Sequence, residues 1–181
     1  MPDNNSQNIK NLAKDIKILI LDVDGILTDG LVHIFGDGRE MYEFNVYDGY
    51  GIKLWRRAGF KVGFLTGRVS DAVEFRAKQL EVDFLFRGAS DKVSLIEKLA
   101  KEERVTMKNI CYLGDDLQDL ALLKKVGLSV SVPNAREEVK KYVHYVTSLK
   151  GGGGAVRELI EKLLKEKDLW DGIINQGNIL S

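Results

Sequence analysis

Two aspartates separated by a single residue, Asp22 and Asp24, stand at the end of an unbroken apolar run over residues 16–21. In extended chain, residues i and i+2 point to the same side, so both carboxylates can face one substrate atom, one attacking while the other handles protons. Thr66, Gly67 and Arg68 follow a second apolar run, Asp91 and Lys92 open a helical stretch, and Gly114, Asp115, Asp116 and Asp119 follow a later run. Helix capping accounts for Asp71 and Asp91, and for Asp48. It does not account for Asp22, beside which no helix begins. Brought to one edge, Asp22, Asp24, Asp115 and Asp116 would repel one another and resist ionising unless a cation neutralised them. Oxygen donors with no adjacent Cys or His point to Mg²⁺.

These residues converge only if the chain lays its apolar runs side by side. Runs at 16–21, 61–65, 83–86, 110–113, 128–132 and 143–146 are short and β-branched, as buried strands are. Amphipathic stretches at 50–58, 70–80, 92–102, 116–125, 135–141 and 155–167 alternate with them. Strand and helix alternation with short links predicts a three-layer, Rossmann-like parallel α/β sheet flanked by helices. Ligands of such sheets bind beyond the carboxyl ends of the strands, where the polar residues fall. Residues 31–35, the turn Gly36-Asp37-Gly38 and residues 39–46 read as a β-hairpin inserted after the first strand. The expected layout is one domain over 1–168, with the hairpin at about 30–47 and a tail over 169–181. Gly151 to Gly154 could make that tail mobile, and Trp170, Ile173, Ile174, Ile179 and Leu180 could dock it.

The chain has 181 residues, 27 basic against 27 acidic, and is 44% hydrophobic. Zero formal net charge argues against nucleic acid as a partner. One cysteine, Cys111, permits no internal disulfide and fits a reducing cytoplasm. The polar start MPDNNSQNIKNLAKD and the lack of any apolar run near ~20 residues signal neither export nor membrane insertion. His33 and His144 read as strand residues without metal-ligand spacing.

The segments DVDG at 22–25, LTGR at 65–68, Lys92 and GDDLQD at 114–119 resemble, in order and spacing, the four motifs of the haloacid dehalogenase (HAD) superfamily. The inserted hairpin, GASDK at 88–92 and GGGGAVREL resemble its capless branch of 3-deoxy-D-manno-octulosonate 8-phosphate phosphatases. That resemblance implies a phosphoric monoester hydrolase acting through an aspartyl-phosphate in lipopolysaccharide biosynthesis. It implies Asp22 as nucleophile and Asp24 as proton donor and acceptor, with Thr66 and Lys92 on the phosphoryl group. Mg²⁺ would be held by Asp22, Asp24, Asp115 and Asp116, with Asp119 either supporting the site or facing solvent. For the sugar it nominates Asp24, Asn45, Val46, Tyr47, Asp48, Gly49, Lys53, Arg68, Arg76 and Lys92. A chain without a lid must exclude water otherwise. The resemblance implies a homotetramer in which hairpins and tails of neighbouring subunits border each site, and alternating Val32, Ile34 and Phe44 suit such an interface. Three readings compete: a related phosphatase for another sugar phosphate; the phosphatase-like module attached to sialic acid cytidylyltransferases, which keeps the fold but acts chiefly in assembly; and a receiver-like phosphoacceptor. Receivers carry their phosphorylated Asp after the third strand and lack the hairpin.

Overall fold

Strand β1 (Ile18–Leu21) has no solvent-facing side, and its alternation divides the core in two. Leu19 and Leu21 enter one apolar cluster, Ile18 and Ile20 the other. Strands β4 (Lys61–Leu65) and β6 (Ile110–Leu113) flank β1 in parallel, pairing Ile18 with Lys61 on one side and with Ile110 on the other. Outside them lie β5 (Phe84–Phe86), β7 (Leu128–Ser131) and β8 (Tyr145–Val146), giving a parallel six-stranded sheet in the order β5-β4-β1-β6-β7-β8. The computed structural model describes residues 4–175.

Helices α1 (Asn4–Asp15), α2 (Val46–Arg57), α3 (Asp71–Gln79) and α7 (Ala155–Glu166) cover the Leu19 face. Helices α4 (Lys92–Glu102), α5 (Leu120–Leu123) and α6 (Glu137–Lys140) cover the Ile20 face. This is the expected three-layer α/β architecture. The chain runs from β1 outward to β4 and β5, then crosses back to β6 on the other side of β1. That reversal opens a crevice at the carboxyl ends of β1, β4 and β6.

Several boundaries differ from the sequence reading. Ile16 donates its N–H to the Ala13 carbonyl and so closes α1 instead of joining the ladder. That helix was not expected, although Ile9, Leu12, Ala13 and Ile16 carry a helical apolar spacing and Ile9, Ala13 and Ile16 are buried. The hairpin exists, but its ladder is only β2 (His33–Ile34) against β3 (Glu40–Met41). Residues 46 and 47, counted within the inserted hairpin, belong to α2, which starts four residues early because the Asn45 side chain accepts from the Tyr47 N–H. Gly49 and Gly51 hid that start by their poor helix propensity. The helix expected at 116–125 divides into a 3-10 turn (Leu117–Asp119) and α5.

The tail forms α8 (Trp170–Asn175), with Trp170 and Ile173 packed against the chain's own core. Ile179 and Leu180 lie outside the described residues. No described helix is long and apolar enough to cross a membrane.

Candidate active site

β1 delivers Asp22 to the crevice, its N–H still on the Leu113 carbonyl of β6. The chain then turns sharply: the N–H groups of Ile26, Leu27 and Thr28 all reach the Val23 carbonyl, and the Thr28 hydroxyl accepts from Gly25 and Gly30. Gly25 is required here. Its φ of +87° disfavours a side chain, and a Cβ would stand 2.2 Å from Asp115 Oδ2. Gly151 presses on the same turn from outside, where a Cβ would fall 1.7 Å from the Gly25 carbonyl oxygen. The glycine run that read as a source of mobility is therefore a close-packed wedge. Gly152 donates to the Ile26 carbonyl at 2.9 Å and Gly151 to Asn134 Oδ1 at 3.0 Å.

The turn carries Asp24 beside Thr66, the first residue beyond β4, whose hydroxyl donates to Asp24 Oδ2 at 3.2 Å. The other Asp24 carboxylate oxygen is buried with no partner. Asp91 caps α4, accepting from Ser94 N at 3.0 Å, and this sets Lys92 in the first turn, 5% exposed. Lys92 Nζ donates to Asp22 Oδ1 at 2.9 Å and Asp119 Oδ1 at 2.7 Å, and contacts the Tyr112 hydroxyl at 3.2 Å.

The loop after β6 turns Asp119, not Asp116, into this cluster. In the 3-10 turn the third residue folds back, so Asp119 Oδ2 accepts from the N–H groups of Asp115 and Asp116. Its Oδ1 accepts from Lys92 and, at 2.6 Å, from Tyr112. Asp119 is fully buried, which settles its side-chain direction away from solvent. Asp116, expected among the metal ligands, is half exposed, caps Leu117 and lies 3.9 Å from Arg136 Nε.

Burial pushes the Asp22 carboxyl up to about 8, against the pull of Lys92, and Asp119 and Asp115 add to the rise. Burial also pushes Asp115 up to about 7, helped by Asp119 and Asp116. For Lys92, burial pushes downward but Asp22 and Asp119 outweigh it, so its ammonium is held charged. Among the described residues, Asp22, Asp115 and Asp119 bring carboxylate oxygens within 4.8 Å of one another. The four acceptor positions of Asp119 are already taken by N–H and O–H donors. A cation therefore fits Asp22 and Asp115, whose carboxyls hold protons too tightly when none is near, and the all-oxygen donors suit Mg²⁺.

The residues nominated for the sugar separate into two groups. Arg68 follows the Thr66 turn, donating from Nε to the Tyr42 hydroxyl at 3.0 Å and from Nη2 to Glu40, which ties the hairpin to the site. Val46 and Tyr47 are exposed. Asn45 turns inward, its Nδ2 donating to the Gly152 carbonyl at 3.2 Å, and Asp48 accepts from Arg157 N at 2.8 Å. Arg76 stacks over Phe44 and donates to the Asn45 carbonyl and Gln79; Gly49 lies against its guanidinium. Lys53 stands two helical turns beyond Asn45, about 12 Å along α2, in a surface hollow with Arg56, Arg57 and Glu81. Within this chain the structure does not bring Lys53 to the carboxylates. His33 and His144 lie apart from the cluster, His144 on the Ser129 hydroxyl at 2.8 Å. Sequence reasoning missed Tyr112, Tyr42, Glu40 and Arg157. Glu40, Tyr42 and Arg157 lie in segments that carry the resemblance but were not singled out as residues, and all four act through contacts between elements.

Residues 82–159 match the haloacid dehalogenase-like hydrolase family. The chain is 40% identical over 159 residues to the 3-deoxy-D-manno-octulosonate 8-phosphate phosphatase of Salmonella typhi, spanning 88% of this chain and 85% of that one. Its fold is similar to the crystal structure of the phosphatase of that name from Moraxella catarrhalis in complex with magnesium, phosphate and KDO. That match has a TM-score of 0.92 and 36% identity, over 95% of this chain and 99% of that one. It is also similar to the cobalt-bound form of the Haemophilus influenzae phosphatase, with a TM-score of 0.88 and 35% identity over 93% and 99% of the two chains.

Proposed function

The chain belongs to the 3-deoxy-D-manno-octulosonate 8-phosphate phosphatases of the haloacid dehalogenase-like hydrolases, and on that premise we propose how its residues work and assemble. The enzyme is a Mg²⁺-dependent phosphatase releasing inorganic phosphate and 3-deoxy-D-manno-octulosonate for lipopolysaccharide biosynthesis. The observation that carries the mechanism is the pairing of Asp22, clamped by Lys92, with Asp24, whose second oxygen is buried and unpartnered.

Asp22 attacks phosphorus, and the bond from phosphorus to the sugar oxygen breaks. Asp24 delivers a proton to that departing oxygen, then takes one from the water that attacks the aspartyl-phosphate and frees Asp22. Thr66 and Lys92 donate hydrogen bonds to the phosphoryl oxygens, offsetting the charge that two anions bring together. Mg²⁺, held by Asp22, Asp115 and the Asp24 carbonyl, supplies positive charge at the phosphoryl group. Asp116 serves as loop cap and Asp119 as the anchor of Lys92. Arg68, Arg76 and the exposed start of α2, Val46 and Tyr47, face the sugar, while Asn45 and Asp48 act by holding that start to α7. The test is phosphate release from a panel of sugar phosphates with and without Mg²⁺. The octulosonate 8-phosphate should be the best substrate and Asp22→Asn inactive. A better substrate refutes the sugar assignment, and an active Asp22→Asn refutes the nucleophile.

We place the enzyme in the cytoplasm, as a homotetramer joined through its hairpins. Leu31, Ile34, Phe35 and Met41 leave an exposed apolar patch there that suits a second copy, whereas Val32 and Phe44 pack on the chain's own core. Sedimentation equilibrium showing a monomer would remove the assembly.

A further inference from the structure

Tyr112 lies in the middle of β6, fully buried, its ring in the apolar layer under α4 and α5. Its hydroxyl donates to Asp119 Oδ1 at 2.6 Å, which leaves the oxygen lone pairs to accept from Lys92 Nζ at 3.2 Å. A lysine ammonium has three N–H groups. Here Asp22, Asp119 and Tyr112 offer three oxygens to receive them. Held by two acceptors, an ammonium on a four-carbon stem can still swing about the line joining them; a third, off that line, fixes it in place. A phenylalanine would fill the apolar layer as well, so the hydroxyl is explained by what it touches.

We propose that Tyr112 is a positioning residue for phosphoryl transfer: its hydroxyl completes a tripod of acceptors that holds the Lys92 ammonium against the nucleophile Asp22. It touches neither substrate nor reacting atoms. Of the three legs Tyr112 is the longest and the only neutral one. An incoming phosphoryl oxygen shares the Lys92 N–H directed at Asp22, while Tyr112 and Asp119 keep the ammonium in place throughout. The inference rests on the phosphatase reading above.

Tyr112→Phe keeps the ring and removes the tripod's third leg. At saturating Mg²⁺ and octulosonate 8-phosphate, kcat should fall about fivefold, the worth of one hydrogen bond, with KM within twofold. Ile96→Val, a buried change in the same apolar layer without polar contacts, should lower Tm but leave kcat unchanged. In an Asp119→Asn background, the Tyr112→Phe loss should shrink toward nothing, because both act through Lys92. Unchanged kcat in Tyr112→Phe, an equal loss in Ile96→Val, or losses that multiply would overturn the role. A crystal structure of Tyr112→Phe reads the same point without turnover. Lys92 Nζ should leave one carboxylate, and an ammonium still bonded to both overturns the tripod. An inactive wild-type protein would instead refute the phosphatase reading, and the crystal structure would still decide the tripod.

Discussion

The carboxylate of Asp48 is 1% exposed and belongs to α2, yet it serves another helix. α7 begins after Gly154, which has no side chain with which to cap it, and Asp48 Oδ1 accepts from Arg157 N at 2.8 Å in its first turn. The second oxygen is buried without a partner. Burial lifts the Asp48 carboxyl from 3.8 to about 6, against the pull of the Arg157, Gly154 and Val156 N–H groups and of Arg76. A carboxyl whose pKa rises on folding binds its proton longer in the native state than in the unfolded one. Stability must then fall as pH rises from about 4 to about 6 and level off above. A rise of roughly two units corresponds to about 3 kcal/mol. Asp48→Asn retains an oxygen for Arg157 and cannot ionise. Urea unfolding of both proteins, followed by circular dichroism from pH 4 to 8, isolates this group, because slopes from Asp22 and Asp115 cancel in the difference. Of that free energy, wild type should lose about 2 kcal/mol or slightly more relative to Asp48→Asn between pH 4 and 7, because the unfolded carboxyl is already half ionised at pH 4, with little further change above. A difference that is flat or rises with pH would refute the assignment of a buried, reluctantly ionised carboxylate.

Without a cation, the carboxyls of Asp22 and Asp115 hold protons near neutrality, so Mg²⁺ binding at pH 7 should release about one proton. Calorimetry in two buffers of different ionisation enthalpy measures it, and apparent affinity should tighten from pH 6 to 8; identical heats in both buffers would show carboxylates already ionised. Gly151→Ala would drive a methyl into the Gly25 carbonyl and shift the turn that aims Asp24. A misplacement of that size costs on the order of a hundredfold in kcat/KM, and wild-type activity would show that the wedge does not position the turn. Arg68→Ala frees Glu40 and Tyr42, so amide exchange across residues 33–41 should quicken while β1 and β4 stay protected. Unchanged exchange in the hairpin would mean that Arg68 does not hold it.

The acid pair at Asp22 and Asp24, the Thr66 turn, the helix over Lys92–Glu102 and the apolar strand runs were legible because each is written within a few consecutive residues. Unbroken apolar runs, a cap at Asp91 and the doublet spacing are local matters. The choice between Asp116 and Asp119 was not local. Adjacency to Asp115 favoured Asp116, but the 3-10 turn folds Asp119 back beneath the loop, where Lys92 of another element meets it. The helical spacing of Ile9, Leu12, Ala13 and Ile16 was present yet carried little weight in so polar a segment until a sheet face was there to bury it.

By itself, then, the amino-acid sequence determined which chemistry the chain could perform, since carboxylates at strand ends and a lysine at a helix start are set by residue type and short-range geometry. Tertiary structure alone decided which oxygens Lys92 would hold, that Tyr112 would stand behind it, and that Asp48 would cap a helix more than a hundred residues away. It also decided that Gly151 and Gly152, two of the four consecutive glycines, would brace a catalytic turn. Those outcomes depend on contacts between elements distant in sequence, where van der Waals exclusion and the need to satisfy each buried polar atom choose among partners no local pattern specifies.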